Sequence, residues 1–293
     1  MNDMKIHSQY ILGVRVDFGL TMSNVINRIE DLLKDRNNTH LICTTNAEFI
    51  SDAQEDIEFK NIINNSSLSI PDGIGILFSK YYLDNTAHLN NPLLKFVWGS
   101  VFGLAAFFRN FNTGEKISGV ELSTEIMKLS DKKGYSVFLL GGWPKDFYGN
   151  QIVPAPFDLA TVAAAEVKRM YPNVNIIGAT SSFRRDPKDD DATVDYIKEC
   201  MKLHKIDKLD ILLIAYNHKY QEKWYLRNAS KIPAIVGLGI GGTLDYLSGY
   251  LQRPSSYKFE WLKKLFFRPS KLSRILKVFP LYPLKVFFDS IRK

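Results

Sequence analysis

The segment SLSIPDGIGILFSK, residues 67–80, decides how the chain is read. An apolar, strand-like run stops at Pro71, and Asp72-Gly73 then opens a pattern with helical spacing. A strand running directly into a helix is half of a βα unit, and the same grammar recurs along most of the chain. The strand candidates are YILGVRV, HLICTT, SLSIP, YSVFLLG, NVNIIGA, LDILLIAY and AIVGLGI, mostly short β-branched runs bounded by turn residues. Between them TMSNVINRIEDLLKDR, NAEFISDAQEDIEFKNII, SGVELSTEIMKLSDKKG, DLATVAAAEVKRMYP and DDATVDYIKECMKLHK carry helical spacing. Several of these begin with Ser, Thr, Asn or Asp, as capping requires.

Repeated βα units predict an α/β, Rossmann-like fold: a mostly parallel sheet with helices on both faces. Ligands in such folds bind at the carboxyl ends of the strands, where Asp72 stands. At 293 residues, 45% apolar and 24% charged, the chain is globular and can bury one large core. Two cysteines, Cys43 and Cys200, form neither a disulfide framework nor a zinc spacing, so a reduced compartment is expected. The opening residues MNDMKIHSQY lack a basic start followed by an apolar core, so no secretory leader is expected.

The net charge of +7 is uneven. Residues 253–293 hold 11 Lys/Arg against Glu260 and Asp289, a tail of +9 on a body of −2. Such a tail calls for an anionic partner. Its cations alternate with Trp261, Phe266, Phe267, Phe279, Phe287 and Phe288, which suits an anionic bilayer. Nucleic acid is not expected, because RNA platforms usually set their aromatics on a sheet face. The chain thus divides into an α/β domain, 1–252, and a basic membrane-associating appendage, 253–293. An apolar insertion at about 81–113 includes NPLLKFVWGSVFGLAAFFRN, residues 91–110, with one internal charge, Lys95. Its run from Leu93 to Phe108 falls short of the ~20 residues of a spanning helix. A buried core helix and an interfacial membrane segment both fit it.

Asp72 has two readings, a helix cap or a catalytic base aimed into a cleft. TTNAEF (44–49) sets Thr44, Thr45 and Asn46 at the end of another strand, again opening a helix, and helix N-termini favour anions. GLGIGG (237–242) satisfies a dinucleotide-binding pattern but follows the last strand, so its glycines are read as points of close backbone approach. LLGGWP (139–144) is compatible with a nucleotide wall. Asp189 and Asp191 in DPKDDDATV are read as the acidic first turn of a surface helix rather than a metal–nucleotide site. The five histidines have no metal-ligand spacing, and no cofactor or metal is expected.

In order, TTNAEF (44–49), IPDGIGI (70–76), FLLGGWP (138–144), YQEKW (220–224), VGLGIGGTLDYLSG (236–249) and EWLKKLFFRP (260–269) resemble the WecG/TagA/CpsF family of bacterial glycosyltransferases, over roughly residues 10–275. The resemblance implies an inverting hexosyl- or N-acetylhexosaminyltransferase, of N-acetylmannosamine type, in cell-surface polysaccharide synthesis. It would move a sugar from a UDP-sugar to a polyprenyl-diphosphate-linked sugar, as a peripheral protein on the cytoplasmic face of the inner membrane. It implies Asp72 as general base, with Thr44, Asn46 and Gln221 beside it. Lys264, Lys271 and Arg274 of the appendage would complete the site. Gly73, Gly141, Gly142, Gly239, Gly241 and Gly242 are the candidate substrate- and nucleotide-binding glycines. A homo-oligomer is compatible with this reading. The alternative from another class is a non-catalytic, membrane-docked module that binds a nucleotide or lipid.

The chain departs from the family pattern in four places. Lys264 and Lys271 stand where Arg is usual, which keeps charge but loses the bidentate fork. YNHKYQEKW (216–224) replaces a compact Gly-x-Pro-x-Gln-Glu, TSSFRRD (180–186) stands where Gly-Tyr-Phe is common, and 81–113 is longer than the usual connection.

Overall fold

Six of the seven strand candidates form one sheet, and the other folds back on itself. The computed structural model of the chain describes residues 6–105, 115–144, 152, 157–251 and 276–292. YILGVRV, expected as a single strand, is a hairpin of β1 (His7–Ile11) and β2 (Val14–Phe18). Leu12 (φ 51°) and Gly13 (φ 73°) are both left-handed, as a two-residue hairpin turn demands.

The remaining strands are β3 (His40–Thr45), β4 (Leu68–Pro71), β5 (Val137–Gly141), β6 (Ile176–Thr180), β7 (Leu209–Ala215) and β8 (Ala234–Gly239). All pair in parallel, in the order β4-β3-β8-β7-β5-β6. The connecting helices in chain order are α1 (Met22–Lys34), α2 (Ala47–Asp52), α3 (Ile57–Asn64), α4 (Ile74–Thr86), α5 (Pro92–Ala105) and α6 (Gly119–Lys133). Then follow α7 (Leu159–Met170), α8 (Asp190–Leu203), α9 (Tyr220–Asn228), α10 (Thr243–Leu247) and, after a π-type turn at Lys277–Leu281, α11 (Tyr282–Arg292).

Period-two alternation divides each strand between two cores. Val137 and Leu139 of β5 join Leu213, Leu238 and Ile42 beneath α1, α6, α7 and α10. Phe138 and Leu140 join Leu212, Ile214, Trp224 and Ile197 beneath α8 and α9. A third core packs the hairpin, α2, α3 and α4 with Tyr282 and Val286 of α11. The caps are those the sequence predicts: Thr21 on α1, Asp158 on α7, and Ser118 with Glu121 in a capping box on α6. NAEFISDAQEDIEFKNII, expected as one helical segment, is split. Asp56 accepts the Phe59 amide and starts α3 anew.

Of the two readings of 91–110, the buried core helix does not describe α5, whose Leu93, Leu94, Phe96, Val97 and Val101 are exposed; residues 106–110 lie outside the described residues. Among the described residues no helix is long and apolar enough to cross a membrane. Asp189 accepts the Arg184 amide, and Asp191 pairs with Lys231 at 2.7 Å, the structural roles expected of an acidic first turn.

β4 is an edge strand, which would leave its outer amides open. The hairpin closes that edge with side chains. Buried Asp17 accepts the Ser69 amide at 2.8 Å and the Ser8 hydroxyl at 2.6 Å, and Arg15 lies 3.4 Å away. Replacing Asp17 by Ala strands the buried Ser69 amide and takes the counter-charge from the half-buried Arg15, which keeps its bonds to the Asn64 and Ser66 carbonyls. Urea denaturation should show a loss of about 3 kcal/mol, against less than 1 kcal/mol for an exposed control such as Asp31→Ala.

Candidate active site

Every parallel strand leaves the sheet at the same edge, and the candidate residues gather there. Thr44 and Thr45 end β3, both buried, and the Thr45 hydroxyl shares a 2.8 Å hydrogen bond with that of Ser69. Asn46 begins the next helix: its Oδ1 accepts the amides of Glu48 (2.9 Å) and Phe49 (3.1 Å). One residue past β4, the Asp72 amide donates to the Thr45 carbonyl at 2.9 Å, which holds Asp72 beside the Thr44–Asn46 corner. The N-cap of α4 is Gly73, at φ 95°, not Asp72. The half-buried Asp72 thus precedes the cap position.

The Gly-rich turn after β8 closes the corner from the other side. A Cβ on Gly119, at the start of α6, would lie 3.6 Å from the Thr243 hydroxyl and 4.0 Å from that of Thr44. These elements therefore meet at van der Waals range. Gly241 takes φ 53°, and like Gly73 it faces open space where a side chain would be. Both glycines are there for backbone conformation, and they leave main chain uncovered at the cleft. Gly242 is the N-cap of α10.

Gly239 is different. A Cβ on it would come within 2.3 Å of Gln221 Nε2 and 2.5 Å of Glu222 Oε1. Buried Gln221 uses both ends of its amide: Nε2 donates to Glu222 at 2.7 Å, and Oε1 accepts the Gly241 amide at 3.0 Å. Gln221 thus pins the turn that carries Gly241 and Gly242. Glu222 is fully buried, and sequence reasoning passed over it. Burial pushes its carboxyl up to about 7, against the partial opposing effect of the Gln221 hydrogen bond. The motif YQEKW contains the signal, an acid in a helix first turn, but nothing in one sequence shows that the residue is sealed from water.

Farther along the same edge, Gly141 and Gly142 end β5 against packed side chains. A Cβ on the first would meet the Tyr216 ring at 2.6 Å, and on the second Leu244 at 3.0 Å. Trp143 stacks on Tyr216 with centroids 5.5 Å apart, and Arg185 lies 3.6 Å over the Tyr220 ring. Trp143, Arg185 and Tyr220 stand at the β5–β7 end of the cleft, with the Tyr216 ring buried behind Trp143.

On the β3 side, His218 Nε2 lies 3.0 Å from Asp52 and 3.5 Å from Glu48, and Lys277 reaches Asp52 at 2.9 Å. Burial works to raise the Asp52 carboxyl, but hydrogen bonds from Lys277 and His218 outweigh it and hold it below the ordinary carboxylate range. The C-terminal segment therefore reaches the rim of the candidate site. Lys264, Lys271 and Arg274 lie outside the described residues. A separate concavity of about 540 Å³ lies near the opposite end of the sheet, between Thr39, Leu41, Asn61 and Tyr225. It contains none of the candidate residues. The described residues hold no cluster of His, Cys, Asp and Glu able to bind a metal ion.

The chain belongs to the WecG/TagA/CpsF family of glycosyl transferases, which it matches over residues 9–91 and 84–293. It is therefore a glycosyltransferase. Among its relatives is the N-acetylglucosaminyldiphosphoundecaprenol N-acetyl-beta-D-mannosaminyltransferase of Bacillus subtilis (strain 168), 22% identical over 276 residues, covering 93% of this chain and 88% of that protein. The protein of the same name from Staphylococcus aureus (strain NCTC 8325 / PS 47) is 24% identical over 282 residues, covering 94% and 91%.

Glu222 makes stability depend on pH. Its folded value is raised from 4.5 to about 7, so the folded state holds its proton more tightly than the unfolded chain. The stabilisation is complete below 4.5 and is lost as pH rises towards 7, by an amount on the order of 3 kcal/mol. Glu222→Gln keeps the shape and the bond to Gln221. Urea titrations from pH 5 to 8 should show a fall for the native chain and a flatter profile for the variant.

Proposed function

We propose that this glycosyltransferase moves a hexose or N-acetylhexosamine, of N-acetylmannosamine type, from a UDP-sugar to a polyprenyl-diphosphate-linked sugar. The reaction inverts the anomeric centre, and Asp72 is the general base. The observation that carries the reading is Asp72 at the end of β4, held to Thr45 by its own amide and followed by Gly73 in the cap position. A carboxylate at the edge where strands end and helices begin stands where a bound acceptor would present its hydroxyl. The N-acetyl-beta-D-mannosaminyltransferases of Bacillus subtilis and Staphylococcus aureus, which act on N-acetylglucosaminyldiphosphoundecaprenol, support this sugar and acceptor class.

In this mechanism the acceptor hydroxyl attacks the anomeric carbon from the face opposite the leaving diphosphate. The new C–O bond forms as the bond to the phosphate oxygen breaks, and the hydroxyl proton passes to Asp72. A single displacement inverts the centre. Negative charge grows on the departing UDP and is met by the positive N-terminal ends of α4 and α9 and by Lys264, Lys271 and Arg274 of the appendage. Thr44, Asn46 and Gln221 shape the pocket: Asn46 fixes the start of α2, and Gln221 fixes the Gly241 turn. The uncovered backbone at Gly73 and Gly241 lets substrate approach closely. Trp143, backed by the buried Tyr216 ring, and the Arg185–Tyr220 pair offer flat surfaces for a nucleobase.

The division into a catalytic part, 1–252, and a basic appendage, 253–293, belongs to this proposal. So does peripheral attachment to the cytoplasmic face of the inner membrane. UDP release from a panel of UDP-sugars, with and without a polyprenyl-diphosphate sugar in detergent, tests the chemistry. One donor should give acceptor-dependent release. Asp72→Asn should lower turnover roughly 10²- to 10⁴-fold, with unchanged circular dichroism and melting. Normal turnover in that variant, or acceptor-independent release alone, would overturn the assignment.

A further inference from the structure

A helix on a protein surface ordinarily turns its charges outward and its apolar stripe inward. α5 does the reverse. Its one charged residue, Lys95, is only 9% exposed, and its ammonium donates to the Ser290 carbonyl of α11 at 2.6 Å. Its large apolar side chains point out: Leu93 is 67% exposed, Leu94 54%, Phe96 48%, Val97 49% and Val101 56%. The inner side packs on α4. There Trp98 lies 5.5 Å from the Tyr81 ring, and a Cβ on Gly99 would come within 3.1 Å of Tyr82.

α11 extends the same surface. Tyr282, Val286 and Ser290 are buried, whereas Leu284, Phe288 and Ile291 are exposed. Phe287 meets Phe96 edge-on at 5.5 Å and its neighbour Phe288 at 5.4 Å, so the rings join the two helices into one apolar face. Lys285 and Arg292 are exposed beside it. A joined face of this kind marks an interaction surface.

We propose that α5 and α11 form a single lipid-embedding platform, in which α5 lies in the plane of an anionic bilayer with its Leu93–Val101 face sunk among the acyl chains. Charge selects lipid over a second copy of the chain. Lys285 and Arg292 stand exposed beside the face, so copies placed face to face would bring like charges together, whereas anionic headgroups complement them. Length selects the orientation. The 14 residues of α5 extend about 21 Å, less than the ~30 Å hydrocarbon core, so the helix lies along the interface. Position selects the purpose. Tyr282 accepts the Ser79 hydroxyl at 2.9 Å and passes 3.9 Å from the Cβ position of Gly75, in the first turn of the helix that follows Asp72. Embedding the platform therefore brings the Asp72 end of the sheet to the headgroups. That purpose rests on the transferase reading above; the contact itself does not.

The full chain, labelled with an environment-sensitive fluorophore at Val97→Cys, tests the platform, since both native cysteines are buried. Phosphatidylglycerol-containing phosphatidylcholine vesicles should blue-shift the label, and nitroxide placed on the acyl chains should quench it. A label at Val162→Cys on α7 should do neither. In flotation assays the exposed triple variant Leu93→Ser, Leu94→Ser, Val97→Ser should bind these vesicles about tenfold more weakly or worse, with an unchanged circular dichroism spectrum. Unchanged vesicle binding by the triple variant, or no quenching at position 97, would overturn the proposal. So would a dimer in light scattering that the triple variant abolishes, because a second copy would then cover the face. Embedding with no UDP release from any donor would sink the transferase reading and leave the platform standing.

Discussion

A parallel strand can be followed by another only if the chain crosses back to where it started. That requirement organises this molecule. Six strands run one way, so six exits fall on one edge, and the helices that return the chain begin at that edge. The polar side chains of Thr44, Asn46, Asp72 and Gln221 come from strand ends and helix starts far apart in sequence. They meet because the crossovers leave them no other place. The two apolar faces of the sheet do the rest, since a strand sealed on both sides cannot shift register without turning a whole set of side chains into the wrong core.

Much of this was legible in the residues. Short β-branched runs announced the six strands, and Ser118, Thr21 and Asp158 announced helices by their capping chemistry. The hairpin was not legible, because Leu12 occupies a left-handed conformation that leucine rarely takes and no Asn-Gly pair marks the turn. The break between α2 and α3 has no glycine or proline, only the second cap at Asp56. α5 misled for another reason. Composition tells how apolar a helix is but not which way it faces, and here the one lysine points in.

The candidate site was legible as an ordered set of motifs, but the physical work of its members was not. Asn46 and Gln221 are occupied in holding backbone amides, so their contribution passes through the corners they fix. The glycines sort into two kinds. Gly141, Gly142 and Gly239 make room for Tyr216, Leu244 and Gln221, the first two at positive φ as well, while Gly73 and Gly241 hold positive φ against open space. Glu222 had to be found by burial. It lies beneath Gly239, against the amide that sets the Gly241 turn, and links the ionisation of one carboxyl to the shape of the cleft above it.

The bond between Lys95 and the Ser290 carbonyl spans 195 residues of chain. During synthesis α5 emerges well before the α11 segment that holds its lysine. At ~5–20 residues per second the interval is roughly 10–40 s. For that time both sides of α5 are uncovered, the apolar side and the side that α11 will later clasp. The nascent chain therefore carries a sticky helix through that whole interval, until the last turn of α11 arrives to conceal the charge.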